Sequence, residues 1–387
     1  MKIVTYTPHG ALPDLRGFAP AIVAGEIARN LGFAHNIHVT AREEGLSRLE
    51  YHPALGEIHR FRESAANRLF FRKLSRLNPC PEQARLAKLC QTIRPDLVHA
   101  HQIEFPVADF KRRLGRDIPV VVHAHSVRSF AAERGLADRY IAVADFTRDR
   151  LIDQGFPAER IVVVPNGADT DLFSPADETT RNGLRAALGM AEDAFVLAYV
   201  GRKQAAKGFV SFLQALEGLA DAGLKVRGIC AGPIPPDTLR EEDYAAREKQ
   251  RLALIARGLL VDLPALPHHQ LVNVYRVADA LHFATRFKGE QHPLVLIEGL
   301  ACGCAVVTSR IAGIAETVTH REHALLLDDP ADSREAIAHL LDIAAQPEKY
   351  AAMRAAARQR ARSLYDWRAI AGRVERIYFE LLSATSA

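Results

Sequence analysis

Hydrophobic and polar positions follow two alternating rhythms along the chain. Short β-branched runs, such as residues 2–7 (KIVTYT), 96–101 (DLVHAH) and 118–125 (IPVVVHAH), alternate with longer segments of helical spacing, for example Phe18 to Leu31. Strand-length runs that alternate with helices are typical of a parallel sheet covered by helices. The pattern therefore predicts an α/β protein.

This rhythm starts twice. A polar stretch at residues 174–183 (SPADETTRNG) separates two series of strands and helices. We place a domain boundary at Ser174, which gives an N-terminal domain over residues 1–174, a C-terminal domain over residues 175–365 and a final helix over residues 366–387 that returns to the first domain. Both domains are expected to be Rossmann-like, doubly wound parallel sheets that hold ligands at the carboxyl ends of their strands and face each other across a cleft.

The composition excludes several other classes of protein. Hydrophobic residues make up 48% of the chain and charged residues 25%, which is the balance of an ordinary globular protein. Lys and Arg number 50 against 46 Asp and Glu, and this net charge of +4 is too small for a dedicated nucleic-acid binder. We therefore expect no nucleic-acid partner.

Segments that would direct the chain to a membrane or out of the cell are not evident. The start lacks a basic segment followed by an apolar core, so the mature chain is expected to begin at Met1. The apolar stretch from Leu294 to Val307 is interrupted by Glu298 and is shorter than the roughly 18 apolar residues of a membrane span. An odd number of cysteines, with Cys302 and Cys304 too close to pair, predicts reduced thiols and a cytoplasmic protein.

A basic turn follows the first strand of the second domain. The segment GRKQAAKGF places Arg202 and Lys207 just before a helix that is expected to start near Gly208. Backbone amides at a helix start, together with two cations, suit a diphosphate. A solvated basic turn is the alternative when this segment is taken alone.

Two carboxylates lie further along the same domain, in FKGEQHPLVLIEGLACGCAVV. Glu290 is expected in a loop and Glu298, half-buried, in a helix that starts near Pro293, and their spacing of eight positions would align them along one helix face. Glu298 could accept hydrogen bonds from ribose hydroxyls. Gln291 and His292 are expected to point toward the cleft beside Glu290. The alternative is two unrelated acids, because this spacing is common by chance.

Taken together, these motifs resemble those of the family-4 retaining glycosyltransferases, which have the two-domain GT-B fold. The matching segments are PDLVHAH, VVVHAHS, RYIAVADFTRDRLIDQGF, RIVVVPNGADTDLF, YVGRKQAAKGF and the stretch from Glu290 to Glu316. The resemblance covers nearly the whole chain. It implies transfer of a sugar from a nucleoside-diphosphate sugar, with retention at the anomeric carbon, to a hydroxyl of a glycan or lipid-linked glycan acceptor in cell-surface polysaccharide or lipopolysaccharide assembly.

The resemblance also implies roles for individual residues. Arg202 and Lys207 would hold the donor's diphosphate, Glu298 the ribose, and Glu290 and His125 the transferred sugar. The catalytic set implied is His125, Arg202, Lys207 and Glu290, and the donor-binding set is Gly17, Arg202, Lys207, Glu290, Leu294, Val295 and Glu298. The family's glycine pair after the first strand is imperfect, because this chain has Arg16 beside Gly17.

Two His-x-His pairs raise the alternative of a zinc site. His99 and His101 end one strand, and His123 and His125 end the next. We disfavour zinc, because no nearby acid or cysteine completes a ligand set and neutral histidines can be satisfied at strand ends. The resemblance likewise implies an enzyme that needs no metal and no cofactor, since cationic side chains take the place of a metal ion.

A basic segment at residues 60–76 suggests a location. Six basic residues and one acid give it a net charge of +5, and Phe70 and Phe71 lie between the charges. A basic amphipathic helix can lie on an anionic membrane surface, which would place the protein at the inner face of the cytoplasmic membrane and suit a lipid-linked acceptor. The alternative is a helix that packs its apolar side on the sheet.

Two other functions remain open at this point. A nucleotide-sugar 2-epimerase of the same fold would use the same donor pocket, but the Glu290 to Glu298 pattern and the segment GRKQAAKGF favour the transferase. A non-catalytic sugar-binding protein of the periplasmic type is disfavoured by the missing signal peptide and the unpaired cysteines.

Overall fold

The protein is described by a computed structural model that divides into two compact units. The described residues are 1–8, 10–13, 17–31, 36–41, 45–61, 82–102, 107–115, 117–126 and 137–385. The first unit comprises residues 1–165 and 368–387, and the second comprises residues 166–367.

The first unit is built on one sheet whose described strands run in the order β3-β4-β2-β1-β5-β6-β7-β8. Every pairing is parallel except that of β3 with β4. The strands are β1 (Ile3–Thr7), β2 (Asn36–Ala41), β3 (Leu49–His52), β4 (Gly56–Phe61), β5 (Leu97–His101), β6 (Val120–Ala124), β7 (Arg139–Ala142) and β8 (Ile161–Val163). The helices described between them are α1 (Ala19–Asn30), α2 (Glu82–Ile93), α3 (Val107–Leu114) and α4 (Asp145–Asp153).

The second unit contains a fully parallel sheet in the order β11-β10-β9-β12-β13-β14. Its strands are β9 (Phe195–Val200), β10 (Val226–Ala231), β11 (Leu260–Leu263), β12 (Ala280–Phe283), β13 (Ala305–Ser309) and β14 (Leu325–Leu327). Its helices are α5 (Glu178–Ala187), α6 (Phe209–Asp221), α7 (Tyr244–Ala256), α8 (Leu271–Val277), α9 (Leu294–Ala301), α10 (Ile314–Thr317), α11 (Ser333–Ala345) and α12 (Ala351–Leu364). Apolar clusters cover both faces of this sheet, as expected for parallel strands between helices.

The last helix, α13 (Trp367–Thr385), starts at the end of the second unit, and residues 368–387 belong to the first. There the Tyr378 hydroxyl lies 2.6 Å from Nδ1 of His99 on β5. This contact ties the end of the chain to the central strands of the first sheet.

The structural division falls after Pro165, whereas the sequence analysis placed it at Ser174. The segment between these positions packs into the second unit. Asn166 donates a hydrogen bond to the carbonyl of His292 (2.7 Å), and Phe173 is fully buried in the second unit's core. The polar stretch at residue 174 marks the start of a surface segment rather than the division itself.

The prediction of a basic helix over residues 60–76 fails at its first residue. Arg60 lies in strand β4 and is 1% exposed, with its guanidinium donating to the carbonyls of Leu12 and Ser47 and to the carboxylate of Glu50. Residues 62–76 lie outside the described part of the chain. Arg60 therefore contributes to the packing of the first unit and not to a basic surface.

Two further expectations concern membranes and thiols. Within the described ranges, no helix combines the length and apolarity that crossing a bilayer requires. Among the described cysteines, Cys90, Cys230, Cys302 and Cys304 are buried, and no disulfide links any two of these four.

Candidate active site

The turn from β9 to α6 is the centre of the candidate donor site. The Tyr199 hydroxyl donates to the carbonyl of Arg202 (2.6 Å) and fixes the start of the turn. Gly208 has φ +82°, and a Cβ there would lie 2.4 Å from the carbonyl oxygen of Ala284 after β12. Only glycine fits this close approach. The turn therefore holds Arg202 and Lys207 at the carboxyl end of β9, immediately before α6, as the sequence predicts.

Lys207 and Glu290, both implied to contact the donor, form an ion pair in the structure. The Lys207 ammonium lies 2.6 Å from Oε2 of Glu290, and the two side chains are 16% and 12% exposed. The same ammonium lies 4.6 Å from the ring centroid of Phe287. An ammonium has three N–H donors, so its pairing with Glu290 leaves donors for phosphate oxygens.

The three cations of the turn differ in their surroundings. Arg202 is exposed, whereas Lys203 is buried and donates to the carboxylate of Asp262 (2.5 Å) and to the carbonyl of Leu263 (2.7 Å). Lys203 therefore stabilises the packing of the turn against β11. Arg202 and Lys207 are the cations that remain available to an anionic ligand.

Glu298 lies within α9 and is 2% exposed, so it is buried rather than half-buried as expected. Its Oε1 lies 2.7 Å from Nε2 of His268, and its Oε2 accepts a hydrogen bond from the Tyr275 hydroxyl at 2.7 Å. Burial, together with the charge of Glu298, raises the pKa of Tyr275 well above its usual value, so this hydroxyl remains a donor. Two neighbours thus hold the carboxylate in one orientation.

Glu290 and Glu298 do not share a helix face. Pro293 has extended backbone angles (φ −73°, ψ 129°) and caps α9 instead of occupying its first turn, so Glu290 lies in the loop before the helix. Glu290 thus lies in a loop as predicted, but the prediction that its spacing to Glu298 aligns the two acids along a helix face was wrong, because α9 does not include Glu290. The two acids contact different partners, Lys207 in one case and His268 with Tyr275 in the other.

The neighbours of Glu290 also differ from expectation. Gln291 and His292 are buried rather than open to a ligand. The His292 ring packs edge-on against Tyr365, with centroids 4.9 Å apart, and burial lowers the pKa of His292 to about 3. His292 is therefore a neutral core residue. Leu294 and Val295, which were implied to bind the donor, form the first turn of α9 and place backbone amides at its start.

His268 and Tyr275 were not among the predicted site residues, although both contact Glu298. His268 lies in the short turn His268–Gln270 and Tyr275 in α8, so both precede Glu298 by more than 20 positions. Neither belongs to a motif with a fixed spacing to the acid. The available signal was the pair of histidines in PHHQL, a segment that follows β11.

In the first unit, His125, which the resemblance assigns to the transferred sugar, lies within a group of four histidines. Strands β5 and β6 pair in parallel with His101 opposite His123, which brings both His-x-His pairs to one side of the sheet. His101 Nδ1 lies 3.0 Å from Nε2 of His125. Burial is the first cause that lowers the pKa of each of the four, to about 3 for His99 and His125. His125 is thus half-buried, neutral and oriented by His101.

Gly17 precedes α1 and has φ +71°, a conformation that favours glycine. Arg16, its neighbour in the imperfect glycine pair, lies outside the described residues. The structure thus places Gly17, which the resemblance assigns to the donor-binding set, just before the start of α1.

Comparison with known proteins gives matches over both units. Residues 21–172 match the model of Glycosyltransferase Family 4, and residues 180–360 match that of Glycosyl transferases group 1. A D-inositol 3-phosphate glycosyltransferase of Catenulispora acidiphila is 31% identical over 310 residues, covering 73% of this chain and 72% of the relative. An alpha-maltose-1-phosphate synthase of Mycolicibacterium smegmatis is 28% identical over 309 residues, covering 73% of this chain and 78% of the relative.

Solved structures support the same fold. The Anabaena protein HepE in complex with UDP superposes with a TM-score of 0.78 at 21% identity, covering 98% of this chain and 100% of that one. The sucrose-phosphate synthase of Thermosynechococcus elongatus gives a TM-score of 0.80 at 20% identity, covering 99% and 100%. The expectation of a GT-B fold built from two parallel-sheet α/β domains is confirmed.

Proposed function

Because the chain belongs to the family 4, group 1 glycosyltransferases, we propose that it is a retaining, metal-independent enzyme that transfers a sugar from a nucleoside-diphosphate sugar to a hydroxyl acceptor. The observation that carries this proposal is the turn after β9, where Arg202 and Lys207 lie beside a helix start. HepE, which shares the fold, is described with UDP and with UDP-glucose, which supports a nucleotide-sugar donor.

The diphosphate of the donor would bind at this turn. Lys207 already has an anionic partner in Glu290, and a diphosphate carries more negative charge than one carboxylate. It would therefore draw the ammonium toward itself, while Arg202 adds a planar set of N–H donors. Glu290, released from the ion pair, would then accept hydrogen bonds from hydroxyls of the transferred sugar.

Charge stabilisation at the leaving group would be the main catalytic effect. As the bond between the anomeric carbon and the β-phosphate oxygen breaks, negative charge grows on that phosphate. The acceptor oxygen forms the new bond on the same face of the sugar and passes its proton to the departing phosphate. A preorganised donor at such a charge contributes about 3–4 kcal/mol.

Glu298 is suited to bind the ribose hydroxyls. Its two oxygens already accept hydrogen bonds from neighbours, and a carboxylate offers about four lone-pair sites in total, so capacity remains for ribose. Because His268 and Tyr275 hold the carboxylate in place, little side-chain freedom would be lost on binding.

His125 would position the transferred sugar as a neutral hydrogen-bonding group. Its Nε2 is directed at His101, which leaves Nδ1 for a ligand. A neutral imidazole orients hydroxyls but does not stabilise the leaving phosphate by charge. Stabilisation of the leaving phosphate by charge would therefore come from Arg202 and Lys207 of the second unit.

For the acceptor we favour a glycan or lipid-linked glycan of cell-surface polysaccharide or lipopolysaccharide assembly, reached at the inner face of the cytoplasmic membrane. The basic residues of segment 62–76, five against one acid, support an anionic surface as partner. The names of the relatives favour a second candidate, a small phosphorylated polyol or sugar.

Three measurements test the proposal. Hydrolysis of a panel of nucleotide sugars without acceptor should identify one preferred donor. NMR of the glycosylated acceptor should show the same anomeric configuration as the donor. Co-sedimentation with anionic vesicles should fall with rising salt and after replacement of Arg68, Arg72, Lys73 and Arg76 by Gln. A folded protein that stays in the supernatant at low salt, and that glycosylates inositol phosphate, would favour the second acceptor class.

A further inference from the structure

Four histidines on β5 and after β6, namely His99, His101, His123 and His125, form a histidine cluster in the first unit. Only His125 has a role in the proposed transfer. His99, His101 and His123 are buried, and their rings lie in van der Waals proximity, with centroid separations of 4.3, 5.0 and 5.4 Å. A core position at the centre of a sheet usually holds an apolar side chain, so three imidazoles there require an explanation.

Several ring nitrogens of the cluster lack a hydrogen-bond partner among the described residues. These atoms are Nε2 of His99, Nε2 of His101 and both nitrogens of His123. Burial of a polar atom without a partner is costly, and most buried polar side-chain atoms are satisfied. The buried His282 of the second unit has Nε2 3.0 Å from the Ser211 hydroxyl while its Nδ1 lacks a partner, whereas in His123 both ring nitrogens lack one.

The partnered nitrogens lie on the opposite side of the rings. His99 Nδ1 contacts the Tyr378 hydroxyl at 2.6 Å, and His101 Nδ1 contacts His125 at 3.0 Å. A histidine whose Nδ1–H donates to such a partner carries its lone pair on Nε2. This is the arrangement found around metal-binding histidines, where the outer hydrogen bond fixes the ring and its tautomer.

We propose that His99, His101 and His123 bind a divalent metal ion of zinc-like ligand preference. One ligand nitrogen from each residue lies within 4.8 Å of the other two. At zinc–nitrogen distances of about 2.0–2.1 Å, tetrahedral ligand atoms are about 3.4 Å apart, so small ring rotations would close the site. Three histidines form a sufficient protein ligand set for zinc, with a water as the fourth ligand. The sequence argument against zinc required that the histidines be satisfied at the strand ends, and the described contacts do not satisfy them.

This ion would have a structural role separate from the leaving-group chemistry. The proposed diphosphate cations, Arg202 and Lys207, belong to the second unit, whereas the three ligands lie in the core of the first. Through Tyr378, the ion would reinforce the attachment of α13 to the first sheet. A structural metal and metal-independent transfer are therefore compatible.

The test uses the full chain after removal of metal with a chelator and extensive dialysis. Titration with Co²⁺ should produce the visible absorption of a tetrahedral nitrogen-ligated ion, and Zn²⁺ should displace it at one equivalent and raise the melting temperature. His123→Gln should lower Zn²⁺ affinity by at least about 100-fold, and Tyr378→Phe, which removes only the outer hydrogen bond, by about 10-fold. His282→Gln, a buried histidine of the second unit, is the control and should bind as the unaltered chain does.

Three results would overturn the proposal. The first is a folded chain that gives no tetrahedral Co²⁺ spectrum and no change in melting temperature with Zn²⁺. The second is equal affinity in His123→Gln and His282→Gln, which would place the ion elsewhere. If His123→Gln does not fold, Tyr378→Phe decides, and unchanged affinity in that variant is the third contrary result.

Discussion

The carboxyl ends of the central strands carry polar side chains in both units. The two sheets differ in how they offset the cost of burying these side chains. In the first unit, β5 and β6 end in histidines that burial holds in the neutral form. In the second unit, the turn after β9 presents Lys207, whose ammonium pairs with the carboxylate of Glu290. The carboxyl ends of the central strands thus hold neutral polar groups in one sheet and a paired cation in the other, because an unpaired buried charge is costly.

Because of this difference, the strand ends of the two units suit different ligands. A paired and partly exposed cation can exchange its carboxylate partner for a phosphate, so the second unit can respond to an anionic ligand. A neutral imidazole offers lone pairs and N–H groups but little electrostatic stabilisation. The comparison predicts that charge substitutions in the second unit affect turnover, whereas histidine substitutions in the first affect stability and orientation.

Removal of the Lys207 charge should have the largest effect. Lys207→Ala should lower kcat by about 100- to 1,000-fold, since one preorganised donor at the leaving phosphate is lost. Circular dichroism should show an unchanged fold, because Lys207 is not part of the apolar core. Lys225→Ala, which removes an exposed lysine paired with Asp193, is the matched control and should transfer at the normal rate. Near-normal turnover in Lys207→Ala would contradict the diphosphate role.

Glu290→Gln should separate transfer from nucleotide binding. A hydrogen bond to a charged group contributes about 1.5–3 kcal/mol, so loss of the carboxylate should lower kcat by about 10- to 150-fold. Affinity for the nucleoside diphosphate alone should stay equal or increase, because Lys207 no longer has a competing carboxylate. Calorimetry with the nucleotide provides this comparison. A marked loss of nucleotide affinity would show that Glu290 acts in nucleotide binding itself.

Glu298→Gln should lower nucleotide affinity, which Glu290→Gln should leave equal or increased. Nucleoside-diphosphate affinity should fall about 10-fold, since a charge-assisted hydrogen bond to the ribose is weakened. Tyr275→Phe removes only one orienting hydrogen bond and should cause a smaller loss in the same calorimetric measurement. Equal loss of nucleotide affinity in Glu290→Gln and Glu298→Gln would reject the division of roles between the two acids.

The comparison also shows what the sequence could predict. The parallel sheets and the turn with Arg202 and Lys207 follow from local patterns, because strand runs, glycines and cations are contiguous in the chain. The resemblance named Lys207 and Glu290 separately, and their ion pair required the structure, since 83 positions separate them. The antiparallel strand β3 and the burial of Arg60 were missed, because the partners of Arg60 come from two other segments.

Predictions from local sequence spacing also failed for the two acids, because tertiary packing determines their environment. Helical spacing was applied to Glu290 and Glu298, although Glu290 lies in the loop before α9, where that spacing does not set the direction of a side chain. Glu298 was expected at a half-buried position, but its contacts with His268 and Tyr275 depend on how two other segments pack against α9. The roles of these residues toward a donor remain predictions.

Acid should weaken the first unit more than the second, because burial lowers the pKa of five described histidines in the first unit, His38 and the four of the histidine cluster, but of only two fully buried ones, His282 and His292, in the second. Burial lowers the pKa of His38 to about 4 from an unfolded value near 6.5. Below pH 6.5 the unfolded chain therefore binds a proton that the folded chain does not, and stability falls until the pH reaches the folded pKa. Each such histidine contributes up to about 1.4 kcal/mol per pH unit in that window.

Hydrogen exchange at pH 7.5 and pH 5.0, with chelator present, measures this difference between the units. Protection in β1, β2, β5 and β6 should fall more than protection in β9 and β12. His38→Gln should reduce the pH slope of unfolding. A uniform loss of protection over both sheets would contradict the prediction.

Chelation should have the smallest effect on transfer. If Arg202 and Lys207 stabilise the leaving diphosphate, excess EDTA should leave kcat and the KM for the donor unchanged, because no step at the second unit's site uses a metal ion. The melting temperature should nevertheless fall on chelation when the histidine cluster holds zinc, and Tyr378→Phe should reduce that fall. Measurement of both quantities on the same sample separates a structural ion from a catalytic one. Loss of transfer that Mn²⁺ or Mg²⁺ restores would contradict metal independence, since these ions prefer oxygen ligands and would act at the diphosphate and not at three imidazoles.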